Sequence, residues 1–319
     1  MRAYATNSVG TGYGSVLSFL TSGLPVLTTS PILDLGMNSI TCGGNIETDG
    51  GTPIVARGVC YSTSEEPTIE DDKTEDGTGT GEFTSYVFNL TASTTYYIRA
   101  YATNEAGETA YGLQLTFTTL GENQIADYDG NIYNTITIGT QTWTVENLKV
   151  KHYRNGEEII WGYDNWTEVM TGPACTQYNG TSAEDYGLLY NWYAVMDPRN
   201  IAPQGWHVPT LTEYKTLETF LGGAASAYIA LMEEDNAHWV HNPNTGTNSS
   251  GWTALPGGIV EEHGWHAYLG TQGRYWLSSV TGPGIVDWFQ FTYTTCGDRI
   301  LYEEETRKYV GQSVRLIKD

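Results

Sequence analysis

The chain is short of positive charge. Its 319 residues carry 15 Lys and Arg against 37 Asp and Glu, a formal net charge of −22. Such a surface repels phosphate backbones and anionic headgroups, so nucleic-acid partners are excluded and anionic membranes disfavoured. No apolar run approaches the ~18 residues of a membrane-spanning helix, so direct membrane insertion is not expected. Met1 is followed at once by a strand-like segment, with neither a basic n-region nor an apolar h-region, so no signal peptide is read there. Cysteine is scarce as well. Cys42, Cys60, Cys175 and Cys296 are too scattered for a disulfide scaffold, and without a CxxC pair they do not suggest zinc. Cys42 and Cys60 share one expected domain and leave two readings open, a bond across it or two buried thiols. Charged residues total 16%, below the usual ~25%. Gly and Tyr are plentiful instead, at 37 and 23, a composition of short strands, tight turns and loops.

Catalytic signatures are missing too. There is no Gly-x-Ser-x-Gly elbow and no Gly-rich loop ending in Lys-Ser/Thr. Glu303, Glu304 and Glu305 read as a solvated stretch in an acidic chain. His238 and His241, and His263 and His266, are spaced by two residues, with Glu261 and Glu262 beside the second pair. Neither pair has the helical HExxH spacing or a Cys partner, so both read as loop histidines. Asp127, Asp129, Gly130 and Asn131 suggest a calcium loop, but Ile138 stands where its twelfth-position acid belongs, so the segment reads as a hairpin turn. No enzyme, metal or cofactor is expected.

What the sequence does contain is a repeat. Arg2-Ala3-Tyr4-Ala5-Thr6-Asn7 recurs as Arg99-Ala100-Tyr101-Ala102-Thr103-Asn104, offset by 97. Tyr13-Gly14 answers Tyr111-Gly112, and Leu17-Ser18-Phe19 answers Leu115-Thr116-Phe117. A period near 100 residues is one sandwich domain. Residues 1–23 are therefore expected to be the end of a preceding immunoglobulin-like repeat in a tandem array that carried its own export signal, the alternative being a natural start at that point, which leaves an incomplete sandwich with an open strand edge. Residues 24–121 form a complete sandwich and residues 122–319 a further domain. Within the sandwich, Tyr96 to Tyr101 reads as a strand, with Tyr96 and Tyr97 mostly in core and corner packing. Thr48 to Gly51 and Asp76 to Gly79 read as turns. Val55 to Ser62 and Thr94 to Tyr97 resemble fibronectin-type-III-like domains repeated in surface proteins of Bacteroidetes, which implies a spacer.

Beyond Asp127 several blocks follow in order: Ile138 to Leu148, Tyr186 to Val195, Ala202 to Pro209, Gly251 to Gly258, Tyr275 to Ser279, and Ser313 to Arg315. Together they resemble the Fibrobacter succinogenes major paralogous domain, a family placed with the C-type-lectin-like fold. The resemblance implies a mainly β protein in which an immunoglobulin-like β-sandwich precedes an α+β, C-type-lectin-like domain. Local patterns agree. Thr210-x-x-Glu213 is a capping box. Leu211, Tyr214, Leu217, Phe220 and Leu221 line one helix face, Gly222-Gly223 ends it, and a second helix is expected from Ala225 to Glu234. The Glu-Pro-Asn, Gln-Pro-Asp and Trp-Asn-Asp triplets of calcium-dependent lectins are absent, and Cys296 alone does not reproduce the cysteines of the related sulfatase-modifying oxidases.

Asparagine is missing from one region. Residues 1–250 hold 18 Asn and residues 251–319 none, where an even spread would place about five. Related domains are often Asn-rich here. Diversity-generating retroelements rewrite adenines at the 3′ end of a gene, and Asn codons begin AA. Drift in a long loop region is the plain alternative. The segments unlike the family are Ile259 to Tyr268 and Val280 to Tyr309. If they are rewritten, a rigid scaffold presents a variable patch to a protein or glycan on another cell or phage, from an extracellular, cell-surface or virion location. The expected contact residues are Ile259, Glu261, Glu262, His263, Trp265, His266 and Tyr268, then Arg274, Thr281, Asp287, Phe289, Phe291, Tyr293, Thr295, Asp298, Arg299, Leu301, Tyr302, Glu303, Arg307 and Tyr309. Strand alternation separates Trp288, Gln290 and Thr292 from Phe289, Phe291 and Tyr293, and the second set is expected to face the ligand. A static adhesin or structural surface lipoprotein predicts scattered exposure instead. An enzyme requires a deep pocket with convergent polar groups.

Overall fold

The computed structural model describes residues 1–17, 23–162, 166, 171–234, 237–240, 246–280, 286–292 and 308–319, with the side chains of Glu262 and Thr292 left aside. The chain divides into two compact units, Met1–Thr119 and Leu120–Asp319. No helix among the described residues is long and apolar enough to cross a membrane.

The first unit is all β. It begins with a hairpin of β1 (Tyr4–Asn7) and β2 (Gly10–Tyr13). There follow β3 (Val26–Thr29), β4 (Ser39–Thr48), β5 (Ile54–Ser62), β6 (Asp72–Lys73), β7 (Gly81–Phe88), β8 (Thr95–Asn104), β9 (Thr109–Tyr111) and β10 (Leu115–Thr118). One sheet runs β3-β4-β7, the other β10-β8-β5-β6 with β9 also on β8. Residues from both sheets turn inward. Ile40 and Cys42 of β4 and Val87 of β7 pack with Val59 of β5, Ile98 of β8 and Phe117 of β10. Two antiparallel sheets closed over such a core form an immunoglobulin-like sandwich. Tyr96 supplies its corner. At the start of β8 its ring stacks on Phe117 at 5.7 Å, and its hydroxyl accepts the Thr91 N–H at 3.1 Å. Tyr97, its neighbour, is only half-buried. Cys42 and Cys60 are free buried thiols, so the bond the sequence left open is not formed. Cys42 approaches the Ser30 carbonyl and Cys60 the Pro67 carbonyl. Burial pushes the Cys60 thiol up to about 11, so neither a bond nor a reactive thiolate is at hand.

The second unit mixes short helices with small sheets. Its strands are β11 (Gln124–Ala126), β12 (Ile132–Ile138), β13 (Gln141–Thr144), β14 (Ile160–Trp161), β15 (Ala174–Thr176), β16 (Leu189–Tyr190), β17 (Trp206–His207), β18 (Gly257–Val260), β19 (His266–Leu269), β20 (Gln272–Trp276), β21 (Trp288–Thr292) and β22 (Ile317–Lys318). Its helices are α1 (Ala183–Tyr186), α2 (Trp192–Val195), α3 (Leu211–Phe220) and α4 (Ala224–Leu231). The sheets run β11-β12-β13-β22-β17, β14-β15-β16 and β19-β18-β20-β21. Because β22 lies between β13 and β17, the first and last parts of the unit share one sheet.

Local chemistry sets several of these elements. The Asp127 carboxylate accepts the N–H groups of Asp129 and Asn131, both at 3.0 Å, and the Tyr133 hydroxyl at 2.6 Å. Its oxygens turn inward to hold the β11–β12 hairpin. Thr210 and Glu213 form the capping box of α3, and Gly222 and Gly223, at φ +88° and +87°, end it. Tyr214 and Leu217 are buried, but Phe220 is exposed at the rim of a hollow of about 420 Å³ beside Ile138 and Gly139. The second helix stops at Leu231, short of the expected Glu234, because Met232 turns extended and bridges Ala254.

One buried cation ties the unit together. Arg315 donates to the carbonyls of Thr144, Trp252 and Thr253 and to Asn147 Oδ1, with its guanidinium 4.3 Å over the Trp252 ring. Burial pulls its pKa down to about 10, so it stays charged at neutral pH. Its hydrogen bonds offset the desolvation cost that an isolated guanidinium would incur.

Candidate functional site

The β18–β19 hairpin carries Trp265, the most exposed aromatic side chain among the described residues of the second unit. All of β18 is buried, paired antiparallel with β19 and parallel with β20. Val260 exchanges both backbone hydrogen bonds with Gly311. Gly258 sits at φ +65°, and a Cβ there would lie 2.5 Å from the Ala267 carbonyl and 2.8 Å from the Tyr178 ring. Only glycine fits where the hairpin folds back so closely.

The tip is a closed turn. Glu261 N–H donates to the Trp265 carbonyl at 2.8 Å and Gly264 N–H to the Glu261 carbonyl at 3.1 Å. His263 and Tyr268 both adopt φ +67°. Each costs about 1 kcal/mol or more relative to a right-handed conformation; His263 lies in the tip turn, and Tyr268 lies at the other end of β19, where the chain turns into β20. Trp265 is 73% exposed, and Tyr268 and His263 are exposed with it. Glu261 is half-buried.

Two contacts brace this hairpin, one near its tip and one at its base. His266, half-buried, packs edge-on against Tyr178 at 4.9 Å, and its Nδ1 accepts the Asn179 N–H at 3.2 Å. Burial holds its pKa below the ordinary histidine value. The accepting Nδ1 also requires the neutral ring, with the proton assigned to Nε2. Arg274 lies between two rings, 5.3 Å from the centroid of Tyr268 and 4.9 Å from that of Trp288, and its Nε donates to Gln272. It links the exposed Tyr268 ring to the interior. Tyr178 was not singled out in the sequence, although Asn179-Gly180 is a turn signal that marks its loop.

Five expected contact residues are corrected. Ile259, Arg274, Asp287, Phe289 and Phe291 are buried. Phe289 is 1% and Phe291 2% exposed. Phe289 stacks on Tyr214 at 4.1 Å and on Tyr275 at 5.1 Å, and Phe291 packs against Trp252 and Tyr228. The opposite set is no more open, since Trp288 joins a second core with Trp276 and Gln290 is buried. Strand β21 is covered on both faces, which alternation alone does not reveal. Asp287 is held inside by the Ser279 hydroxyl at 2.7 Å. Tyr309 is half-buried, with its carbonyl accepting the Trp166 indole N–H at 3.0 Å. Thr281, Tyr293, Thr295, Asp298, Arg299, Leu301, Tyr302, Glu303 and Arg307 lie outside the described residues, as do Cys296 and His241.

Among the described residues no group of three His, Cys, Asp or Glu is placed to hold a metal ion. His238 pairs with Glu233 at 2.7 Å and packs on Tyr186. The 420 Å³ hollow beside Phe220 contains no titratable side chain, and a smaller one of about 190 Å³ is bordered by Asn147, Glu146 and the Lys149–Glu184 ion pair. Burial pushes the Cys175 thiol up to about 12.

Comparison with known proteins adds the following. The model of the Fibrobacter succinogenes major domain matches residues 136–318. No curated protein matches the chain. Among solved structures, the sensor domain of the anti-sigma factor RsgI4 in Pseudobacteroides cellulosolvens is 14% identical over 30% of this chain and 95% of its own, with a TM-score of 0.23. The fibronectin type-III domain of human fibronectin type III domain containing protein 3 is 20% identical over 34% of this chain and 95% of its own, with a TM-score of 0.22.

Proposed function

Because the chain belongs to the Fibrobacter succinogenes major domain family, we propose that it is a secreted or surface-displayed binding protein whose second unit, of lectin-like fold, presents the β18–β19 tip to a protein or glycan. No catalysis is part of this reading. One observation carries it. Trp265 stands 73% exposed on a closed, strained turn whose supporting strand is fully buried. An indole left in water on a fixed mount is poorly explained by folding and well explained by contact with a partner. The first unit serves as a spacer.

A glycan and protein array probed with the full chain tests the proposal. The expected result is a ligand captured by the chain and lost at least tenfold in affinity by Trp265→Ala. Capture that Trp265→Ala and Tyr268→Ala leave unchanged would move the site elsewhere.

The finer form of the reading is that the Asn-free stretch is rewritten by a retroelement. The burial of Phe289 and Phe291 makes these two positions poor carriers of variation, because core volume changes are costly. A second copy of the gene's 3′ end nearby, differing only at adenines, supports it, and the lack of such a template removes it. The same burial favours a second reading, a static adhesin or structural surface lipoprotein with no diversification.

A further inference from the structure

The β1–β2 hairpin and the β8–β9 hairpin have the same local structure and opposite surroundings. Tyr4 faces Tyr13 across the first as Tyr101 faces Tyr111 across the second. The Thr6 and Thr11 hydroxyls are 2.8 Å apart, and so are those of Thr103 and Thr109. The Arg2 guanidinium lies 4.0 Å over Tyr13, and that of Arg99 4.2 Å over Tyr111. Yet Tyr101 is 2% exposed, with its hydroxyl donating to the Thr74 carbonyl at 2.7 Å, while Tyr4 is 72% exposed. Ala102 is packed between Ile46 and Ile54, whereas Ala5 is bare.

What covers the second hairpin is visible. Strand β5 pairs along β8, with Val59 opposite Ala100, Gly58 opposite Tyr101 and Arg57 opposite Ala102. Among the described residues β1 pairs only with β2. An isolated two-stranded hairpin is marginal in water, and a free strand edge is a template for pairing. We propose that the free edge and bare face of the β1–β2 hairpin are an interaction surface for a β-sandwich of the same kind that lacks its own closing hairpin. Its occupant is a strand set equivalent to residues 24–97 of this chain, whose β5-like strand pairs with β1. That set supplies an aliphatic cover for Ala5 and a carbonyl for the Tyr4 hydroxyl. A second copy of this chain is a poorer occupant, because its own β5 is already paired from Ile54 to Ser62.

The offset of 97 designs the experiment. A copy of residues 24–97 fused directly before Met1 puts Met1 in the place of Ile98. Hydrogen exchange over residues 3–13 is compared between this extended chain and the original, each with and without Ala5→Glu. In the original, these amides exchange nearly unprotected and Ala5→Glu changes nothing. In the extended chain protection rises by about 100-fold, and Ala5→Glu abolishes the rise. No rise, or a rise indifferent to Ala5→Glu, overturns the proposal. Concentration-dependent protection in the original chain assigns the surface to a second copy and overturns this occupant. A second variant guards against simple misfolding of the fusion. Residues 98–112 of the intact sandwich are replaced by residues 1–14, and its cooperative unfolding should persist. Loss of that transition shows that the hairpin cannot close such a sandwich.

Discussion

Strands β19 and β21 are the two edges of one four-stranded sheet, both are rich in aromatic residues, and they have opposite fates. At one edge Tyr268 and the adjoining Trp265 are exposed. At the other, Trp288, Phe289 and Phe291 are interior. Neither composition nor alternation separates the two. The difference lies in what arrives from elsewhere in the chain. One face of β21 meets Tyr214 of α3, Tyr228 of α4 and Trp252, and the other meets the core around Trp276. Among the described residues, β19 is braced by Tyr178 against His266 and by Arg274 against Tyr268. An edge strand can therefore be as deep as a central one, and an aromatic run late in a chain is no guide to a binding face until its cover is known.

The largest effect expected from this contrast is at β21. Phe289→Ala removes rings stacked at 4.1 and 5.1 Å and leaves a cavity. It should destabilise the second unit by about 3–5 kcal/mol, read as a lowered urea midpoint. A loss below about 1 kcal/mol would mean that β21 is not interior and would restore it as a contact strand.

The parts of this contrast that were legible in the sequence are those decided within a few residues. The capping box of Thr210 and Glu213, the Gly222-Gly223 stop, the Asp127 turn and the Tyr96 corner are local, and each forms as its pattern predicts. The exposure of Trp265 and His263 was also anticipated. The parts that were not legible depend on distant chain. Phe289 is buried by Tyr214, 75 positions earlier, and Met232 leaves its helix to bridge Ala254. Arg315 was read only as part of a family block, because nothing near it in sequence announces the carbonyls of Thr144 and Trp252 that receive it. Tyr178 escaped notice because its role is set by His266, 88 positions later.

Arg274 joins the two edges and should give an intermediate effect. Replacing it by Ala removes one guanidinium from between Tyr268 and Trp288. A largely buried contact of this type is worth about 2 kcal/mol. Protection from hydrogen exchange should fall around Tyr268 in β19 more than at β21. Equal loss at both would deny Arg274 its linking role.

Acid should sharpen the contrast with a smaller effect. Burial lowers the His266 pKa in the folded state. The unfolded ring titrates near about 6.5, so the contribution of the neutral His266 is fully present above that value. It is lost as pH falls through the lower folded pKa. Tip amides near Asn179 and His266 should lose protection in that acid range while those of β21 do not. His266→Gln, which keeps an acceptor without titrating, should flatten the response. A tip that loosens equally with Gln in place would assign the effect to other groups.

The smallest effect on stability is expected from the residue that matters most to the proposed function. Trp265 donates little to the interior, being 73% exposed, and surface substitutions away from special features change stability by about 0.5 kcal/mol or less. Trp265→Ala should therefore unfold at the same urea midpoint as the parent chain, within that margin, while its ligand is lost from the array. Phe289→Ala gives the mirror image, a damaged fold whose residual folded fraction still binds. If instead Trp265→Ala unfolds early, its indole has a structural partner outside the described residues. The tip would then belong to the same class of surface as β21, and the distinction between the two edges would fail at its most exposed point.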